Sequence, residues 1–350
     1  MTNVTLPVVR NPALNKLQSG YTAGTLLTIN GSGFGTRTNG QALYFSQGAN
    51  LSADPYCSRL QGTYLDTSHV STSSTHGASV VIDLASGGIA TSCFNPNGLP
   101  VSGTAPLVTY VEKYYDWDTM SASNLDTPFD PNVPGTYRIN LKHYRVWNPA
   151  GTADVYCGSP AYNSNPASNA TVLPPSSAPS GYRNVESING GNQAAYPPNT
   201  PLNFQWMQDE FILVPNSANG VADGVIRQYR NGVNIDALGS YGENIATRDA
   251  TYPTGFTRAF LDEVSNSNTT NPFNTYYRAI IYDDELRGLY LGTASTLAAC
   301  TNGTGKLVRQ PTASWADGKI IYAPVNNFGC TYYYVRTGLN TWLSTNGVAL

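Results

Sequence analysis

Charge is scarce in this sequence. Lys, Arg, Asp and Glu together make up 12% of its 350 residues, about half the usual share of roughly 25%. The net charge is −3, so no basic surface for a nucleic-acid backbone is encoded. Only three histidines occur, and no Cys-x-x-Cys spacing, which removes a zinc site from consideration. No run of about eighteen apolar residues exists, so no membrane-spanning helix is expected. No heptad pattern is present, which excludes a coiled-coil stalk, and no internal repeat stands out. The opening "MTNVTLPVVRNPALNKLQSG" has no basic stretch followed by an apolar one, so no secretory leader is expected. The five cysteines, Cys57, Cys93, Cys157, Cys300 and Cys330, are odd in number. At least one is therefore free or pairs between chains. Cys300 and Cys330 flank one β segment and are the pair expected to form a disulfide.

Helical periodicity is also nearly absent. Short alternating runs punctuated by Gly, Pro, Asn and Ser dominate, which predicts an all-β sandwich or barrel. Strands are expected in Gly24–Gly31, Ala78–Ala85, Pro106–Tyr115, Thr136–Trp147, Asn203–Pro215, Thr275–Gly292, Gly318–Val325 and Thr331–Thr337. "DGVIRQYRNGVNID" (Asp223–Asp236) reads as a hairpin turning at Asn231-Gly232, because both residues tolerate positive φ. Only "TRAFLDEV" (Thr257–Val264) suggests a helical turn. Residues 160–201, rich in Pro, Ser, Asn and Gly, are expected to form a long irregular loop. Tyrosine is abundant, at 24 residues, and polarity rests on amides and hydroxyls. Such a composition suits rigid β proteins that work outside cells.

Three groups of motifs resemble known families. "GTLLTINGSGFGTRTNGQALYFS" (Gly24–Ser46) runs from a strand through Gly31-Ser32-Gly33-Phe34-Gly35 into another strand. Thr36 breaks any G-x-G-x-x-G spacing and no helix follows, so a dinucleotide site is a poor fit. The segment resembles the opening of an immunoglobulin-like IPT/TIG domain, with Phe34 as its apolar plug. The C-terminal stretch Pro311–Leu350 resembles the closing strands of the same domain. In the middle, "INLKHYRVW" (Ile139–Trp147), "EFILVPNSANGVADGVIRQYRNGV" (Glu210–Val233) and "YRAIIYDDELRGLYLG" (Tyr277–Gly292) resemble the concanavalin A-like jelly roll of alginate-type polysaccharide lyases. The resemblance implies a split Ig-like sandwich over residues 1–50 and 290–350, with a jelly roll at 51–289 inserted in it or packed on it. Each sandwich is expected to have its own core, so a cavity at Phe34 should spare the jelly roll. Trp206 and Trp315 are expected in the core.

If the jelly roll binds glycan on its concave face, the candidate ligands are Arg138, Lys142, Trp117, Arg227, Tyr229 and Arg230, with Trp147 beside them. A lyase needs a cation for the uronate carboxylate, a base for the C5 proton and an acid for the leaving oxygen. His143, Tyr144 and Arg145 are the residues for those roles. Strand alternation puts His143, Arg145 and Trp147 on one face and Lys142 and Tyr144 on the other. The competing reading is a basic strand on a solvated sheet. Asp126 and Asp130, in "DTPFDPN", are candidates for a structural calcium, as are the acid clusters Asp116/Asp118 and Asp283/Asp284/Glu285. No other cofactor is expected.

Jelly rolls joined to a GxGFG opening resemble virion proteins of tailed phages. The resemblance implies a virion surface protein, a capsid decoration or tail component, that binds a host-surface polysaccharide and contacts other virion proteins as an oligomer. The competing functions are a polysaccharide lyase acting on an acidic glycan, and a self-assembling structural protein without glycan binding.

Overall fold

The computed structural model describes residues 25–47, 99–116, 139–148, 206–234, 243–265, 273–302, 305–325 and 329–350, with further short strands at 4–5, 10–11, 16–17, 70–73, 79–84, 154–161, 182–186 and 192–195. The fold is all-β and its strand pairings are antiparallel. A single helical turn, Leu297–Cys300, occurs among the described residues.

Two sheets form the larger sandwich. The long sheet has eight strands. Its centre runs from Val225–Arg230 through Trp206–Val214 and Leu107–Asp116 to Phe273–Asp283. The second sheet has six strands, with Ile139–Trp147 at its centre between Asp154–Ala161 and Arg258–Ser265. Tyr144 of the six-stranded sheet stacks on Phe211 of the long sheet, with ring centroids 5.4 Å apart and planes 6° from parallel. That contact fixes which faces meet.

The other face of the long sheet is covered too. A five-stranded sheet built on Gly288–Gly292, Leu307–Gln310 and Tyr332–Gly338 packs there. Strand Trp206–Val214 is consequently buried at every position but its two ends. Consecutive side chains of a strand point to opposite faces, so its run "QDE" sends charge both ways. Asp209 meets Arg230 and Lys113 toward the six-stranded sheet. Glu210 meets Arg309 and Arg336 of the five-stranded sheet.

The two ends of the chain meet. Thr25–Asn30 pairs with Lys319–Tyr322, in register Ile29↔Ile320 and Leu27↔Tyr322. Phe34, 1% exposed, shares a cluster with Ile29, Leu289, Trp315, Ile320 and Val335. The sequence explains the local shape. A Cβ on Gly31 would stand 2.4 Å from the Phe34 ring, so only glycine fits beneath it. The turn at Trp315–Gly318 locks the loop. Its Asp317 carbonyl accepts from Phe34 N at 3.2 Å, and Trp315 Nε1 donates to Gly35 O at 3.1 Å. The Asn231-Gly232 hairpin forms as expected, with φ values of 48° and 79°.

Several expectations differ from the structure. Thr257–Val264 is not helical: Arg258–Ser265 is a strand, because Ala259 and Leu261 face the interior and pairing with Ile139–Trp147 overrides local propensity. The stretch 160–201 holds two short paired strands, Tyr182–Glu186 and Asn192–Ala195. Tyr44–Gln47 joins the long sheet at Phe273–Asp283 rather than the smaller sandwich. The cores are not separate either. One buried cluster unites Leu26, Phe45, Tyr110 and Ile281 with Leu291, Val308 and Ile321. Trp315 is buried. Trp206 is only half-buried, under the Arg278 guanidinium at 3.8 Å. Cys300 and Cys330 form no disulfide: both are free and buried, in different apolar clusters. Cys300 Sγ instead sits 3.8 Å from the Tyr334 hydroxyl.

Candidate functional site

Strand Ile139–Trp147 carries the densest set of expected site residues. Tyr144 and Val146, each 1% exposed, point into the sandwich. The Lys113 ammonium lies 4.7 Å from the Tyr144 ring. Tyr144 is therefore a core residue between two sheets, and a polymer on the outer face has no access to its hydroxyl. Arg145 and Trp147 take the opposite, outer face and are half-buried. The Arg145 guanidinium lies 4.1 Å from the Trp147 ring centroid. Arg258, which pairs with Trp147 across the sheet, places its own guanidinium 5.2 Å from the same ring. Phe260 packs beneath at 5.1 Å. The outer face thus carries two guanidiniums packed against one indole.

Against Asp154–Ala161, the register shifts between Lys142 and Tyr144. His143 therefore sits at a bulge, where strict alternation is interrupted. The side chains of Lys142 and His143 lie outside the described residues, as do Arg138, Trp117, Asp126 and Asp130 altogether.

The hairpin residues lie elsewhere. Arg227, Tyr229 and Arg230 belong to the long sheet, so they do not share a groove with Arg145. Arg227 pairs with Glu243. Arg230 is 6% exposed and makes a two-pronged bond to Asp209, at 2.8 and 2.9 Å. That pair is interior structure, and Arg230 offers nothing to a glycan. Tyr229 lines a cavity of about 300 Å³ between the long and five-stranded sheets, with Gln208, Arg336 and Trp342.

Beside that cavity runs a chain of alternating buried charges. Arg336 donates to Glu210 at 2.9 Å. Arg309 bridges Glu210 and Asp283, at 3.3 and 2.9 Å. Asp283 then pairs with Arg37. Burial lowers the Arg309 pKa, but Tyr290, Asp283 and Glu210 outweigh it and hold the value above the ordinary one. The acids of the cluster Asp283/Asp284/Glu285 are thus held by guanidiniums and amides of the chain itself. Asp284 accepts from Asn39 Nδ2 at 2.8 Å, and Glu285 accepts from the Asn39 amide at 3.1 Å.

Glu112 is fully buried and its pKa is pushed up to about 8, chiefly by desolvation. The Tyr110 hydroxyl donates to it at 3.1 Å. A carboxyl raised in the folded state stabilises the fold below its unfolded pKa, and that contribution is lost as pH rises through the folded value. Between about pH 4.5 and 8 the protein should therefore lose stability through Glu112. Glu112→Gln is expected to flatten that slope and to be the more stable form at about pH 9, by on the order of a few kcal/mol. Urea midpoints measured across that range check it, and parallel curves for the two proteins would contradict it.

Sequence reasoning missed Arg258, which lay in the supposed helical turn. The alternation of Arg258 and Phe260 with Ala259 and Leu261 is the signal that reveals it. It also missed Glu112 and Gln208, because polar residues in a strand read as solvent-facing.

No family model matches the sequence, and no curated protein matches it. Solved structures of similar shape include an endo-β-1,4-glucuronan lyase from the fungus Trichoderma reesei, 11% identical, covering 70% of this chain and 96% of that one with a TM-score of 0.43. A mutant of the alginate lyase Aly36B in complex with alginate trisaccharide is 8% identical, covering 74% and 98% with a TM-score of 0.41. The PL-14 alginate lyase of Aplysia kurodai is 10% identical, covering 70% and 99% with a TM-score of 0.39.

Proposed function

We propose that this protein binds an acidic polysaccharide on the outer face of its six-stranded sheet. The observation that carries the reading is the pair of guanidiniums, Arg145 and Arg258, set against the Trp147 ring. The indole holds both guanidiniums at the sheet surface by cation–π contact. Guanidinium forks match carboxylates in two-pronged hydrogen bonds. Together they fit a uronate polymer better than a neutral one. Retention on alginate and polyglucuronate, with dextran as the neutral control, tests it by affinity electrophoresis. Arg145→Ala should weaken binding about tenfold or more, the size of a lost hydrogen bond to a charged group, and Trp147→Ala should weaken it because the ring that positions both guanidiniums is lost. Added salt should weaken the wild type as well. Equal retention of wild type and Trp147→Ala would overturn the assignment.

The bulge at His143 favours a second reading, lyase chemistry at the same face, because bulges re-aim side chains next to active sites. His143 would then take the C5 proton while Arg145 neutralises the carboxylate, and, with Tyr144 buried, the protonated His143 would return that proton to the leaving oxygen as the glycosidic bond breaks. Ultraviolet absorbance from unsaturated uronates, lost in His143→Ala, distinguishes catalysis from binding alone. For the biological setting, we place the protein on the surface of a tailed-phage particle, in contact with other virion proteins. Its charge-poor, β-rich composition supports that setting, and purified particles lacking the chain by mass spectrometry would remove it.

A further inference from the structure

The cavity between the long and five-stranded sheets is unlike the outer face in its chemistry. Gln208 lines it and is 3% exposed. Neither its Oε1 nor its Nε2 is hydrogen-bonded within the described residues. An interior amide without partners is costly, and native proteins satisfy such groups with a protein group, a water or a ligand. The charged wall is already satisfied. Arg336 spends Nη1 on Glu210 at 2.9 Å, Nε on the Gly338 carbonyl at 3.0 Å and Nη2 on the Leu339 carbonyl. Glu210 in turn is held by Arg309 and Arg336. With Asp283, Glu285 and Arg37 the network balances three guanidiniums against three carboxylates, so no surplus charge remains for an ionic ligand. What is left is an amide that both donates and accepts, beside the half-buried rings of Tyr229 and Trp342 and the exposed amide side chain of Asn340. The volume of about 300 Å³ stands at the lower end of ligand pockets.

From this geometry we infer that the cavity is a second binding site, for one uncharged polyhydroxylated unit the size of a hexose. The Gln208 amide would bridge two neighbouring hydroxyls, accepting from one and donating to the other, while the rings cover the apolar side of the sugar. The site lies on the long-sheet face that points away from the six-stranded sheet. It is therefore independent of the acidic-glycan reading.

Saturation-transfer NMR on the full chain tests it, using methyl hexosides as free-sugar probes and neutral oligosaccharides as chain-end probes. Saturable binding of at least one methyl hexoside is expected, and binding of an oligosaccharide as well would identify a glycan terminus as the source. Gln208→Leu should weaken this binding tenfold or more and leave alginate retention unchanged. Its melting temperature should not fall, because an unsatisfied amide is exchanged for an apolar side chain of similar size. Should Gln208→Leu fail to fold, Gln208→Asn retracts the amide while keeping its polarity, and the same loss is expected. Absence of saturable binding by every probe overturns the proposal, as does unchanged hexoside binding in a folded Gln208 variant. Loss of alginate retention in the wild type bears only on the outer face.

Discussion

Arg309→Met should destabilise the folded protein by about 3–5 kcal/mol, the usual cost of removing one partner from a buried ion pair. Arg309 is fully buried and ties Glu210, on the long sheet, to Asp283 and the Glu285 carbonyl. Without it, Glu210 keeps only Arg336, and Asp283 shares Arg37 with Glu285 among the described residues, so three carboxylates face two guanidiniums. That loss is a large fraction of a typical total stability of about 5–15 kcal/mol. Glycine at 288 leaves the room this guanidinium fills, since a Cβ there would stand 2.7 Å from Arg309 Nη1. Arg309→Lys should fall between the two, since an ammonium keeps the charge without the fork. Guanidinium denaturation reads the effect, and a loss below about 1 kcal/mol would show that the chain of charges contributes little.

Phe34→Ala should cost about 3–5 kcal/mol through the cavity it leaves. Phe34 is 1% exposed and meets Trp315 edge-on at 6.5 Å. The loss should not be confined to one sandwich. Leu27 and Tyr333 border the Phe34 cluster, and Tyr333 also packs against the cluster that unites Leu26 and Ile321 with Tyr110 and Ile281 of the long sheet. Arg287 donates to the Thr36 carbonyl at 2.6 Å, and Arg37 pairs with Asp283, so the loop after Phe34 is bonded to the end of a long-sheet strand. One cooperative transition at lower denaturant is expected by calorimetry or intrinsic fluorescence. Two separated transitions, with only the first displaced, would restore the picture of independent cores.

Much of the fold was legible because turn chemistry is local. Asn231-Gly232 adopts positive φ at both positions, as a tight hairpin needs. Gly31 and Phe34 read as a close-packed plug because glycine there has a steric reason. Alternation likewise located most strands. What alternation does not encode is what lies over each face. Asp209, Glu210, Arg309 and Arg336 look like surface charges in sequence, yet each is buried against a partner far along the chain. The same limit scattered the candidate site. Arg230 and Arg145 both read as basic strand residues, but one meets Asp209 inside and the other meets Trp147 outside. The disulfide failed for a related reason, since flanking a β segment does not bring two sulfurs together.

An acidic glycan is expected to lie across the surface formed by Arg145, Trp147 and Arg258. A crystal structure with a tetrauronate soaked at saturating concentration measures that most directly. The uronate carboxylates are expected to be bound by the Arg145 and Arg258 guanidiniums, with the chain running beside the Trp147 ring. A uronate chain ordered elsewhere, with Trp147 uncovered, would contradict it.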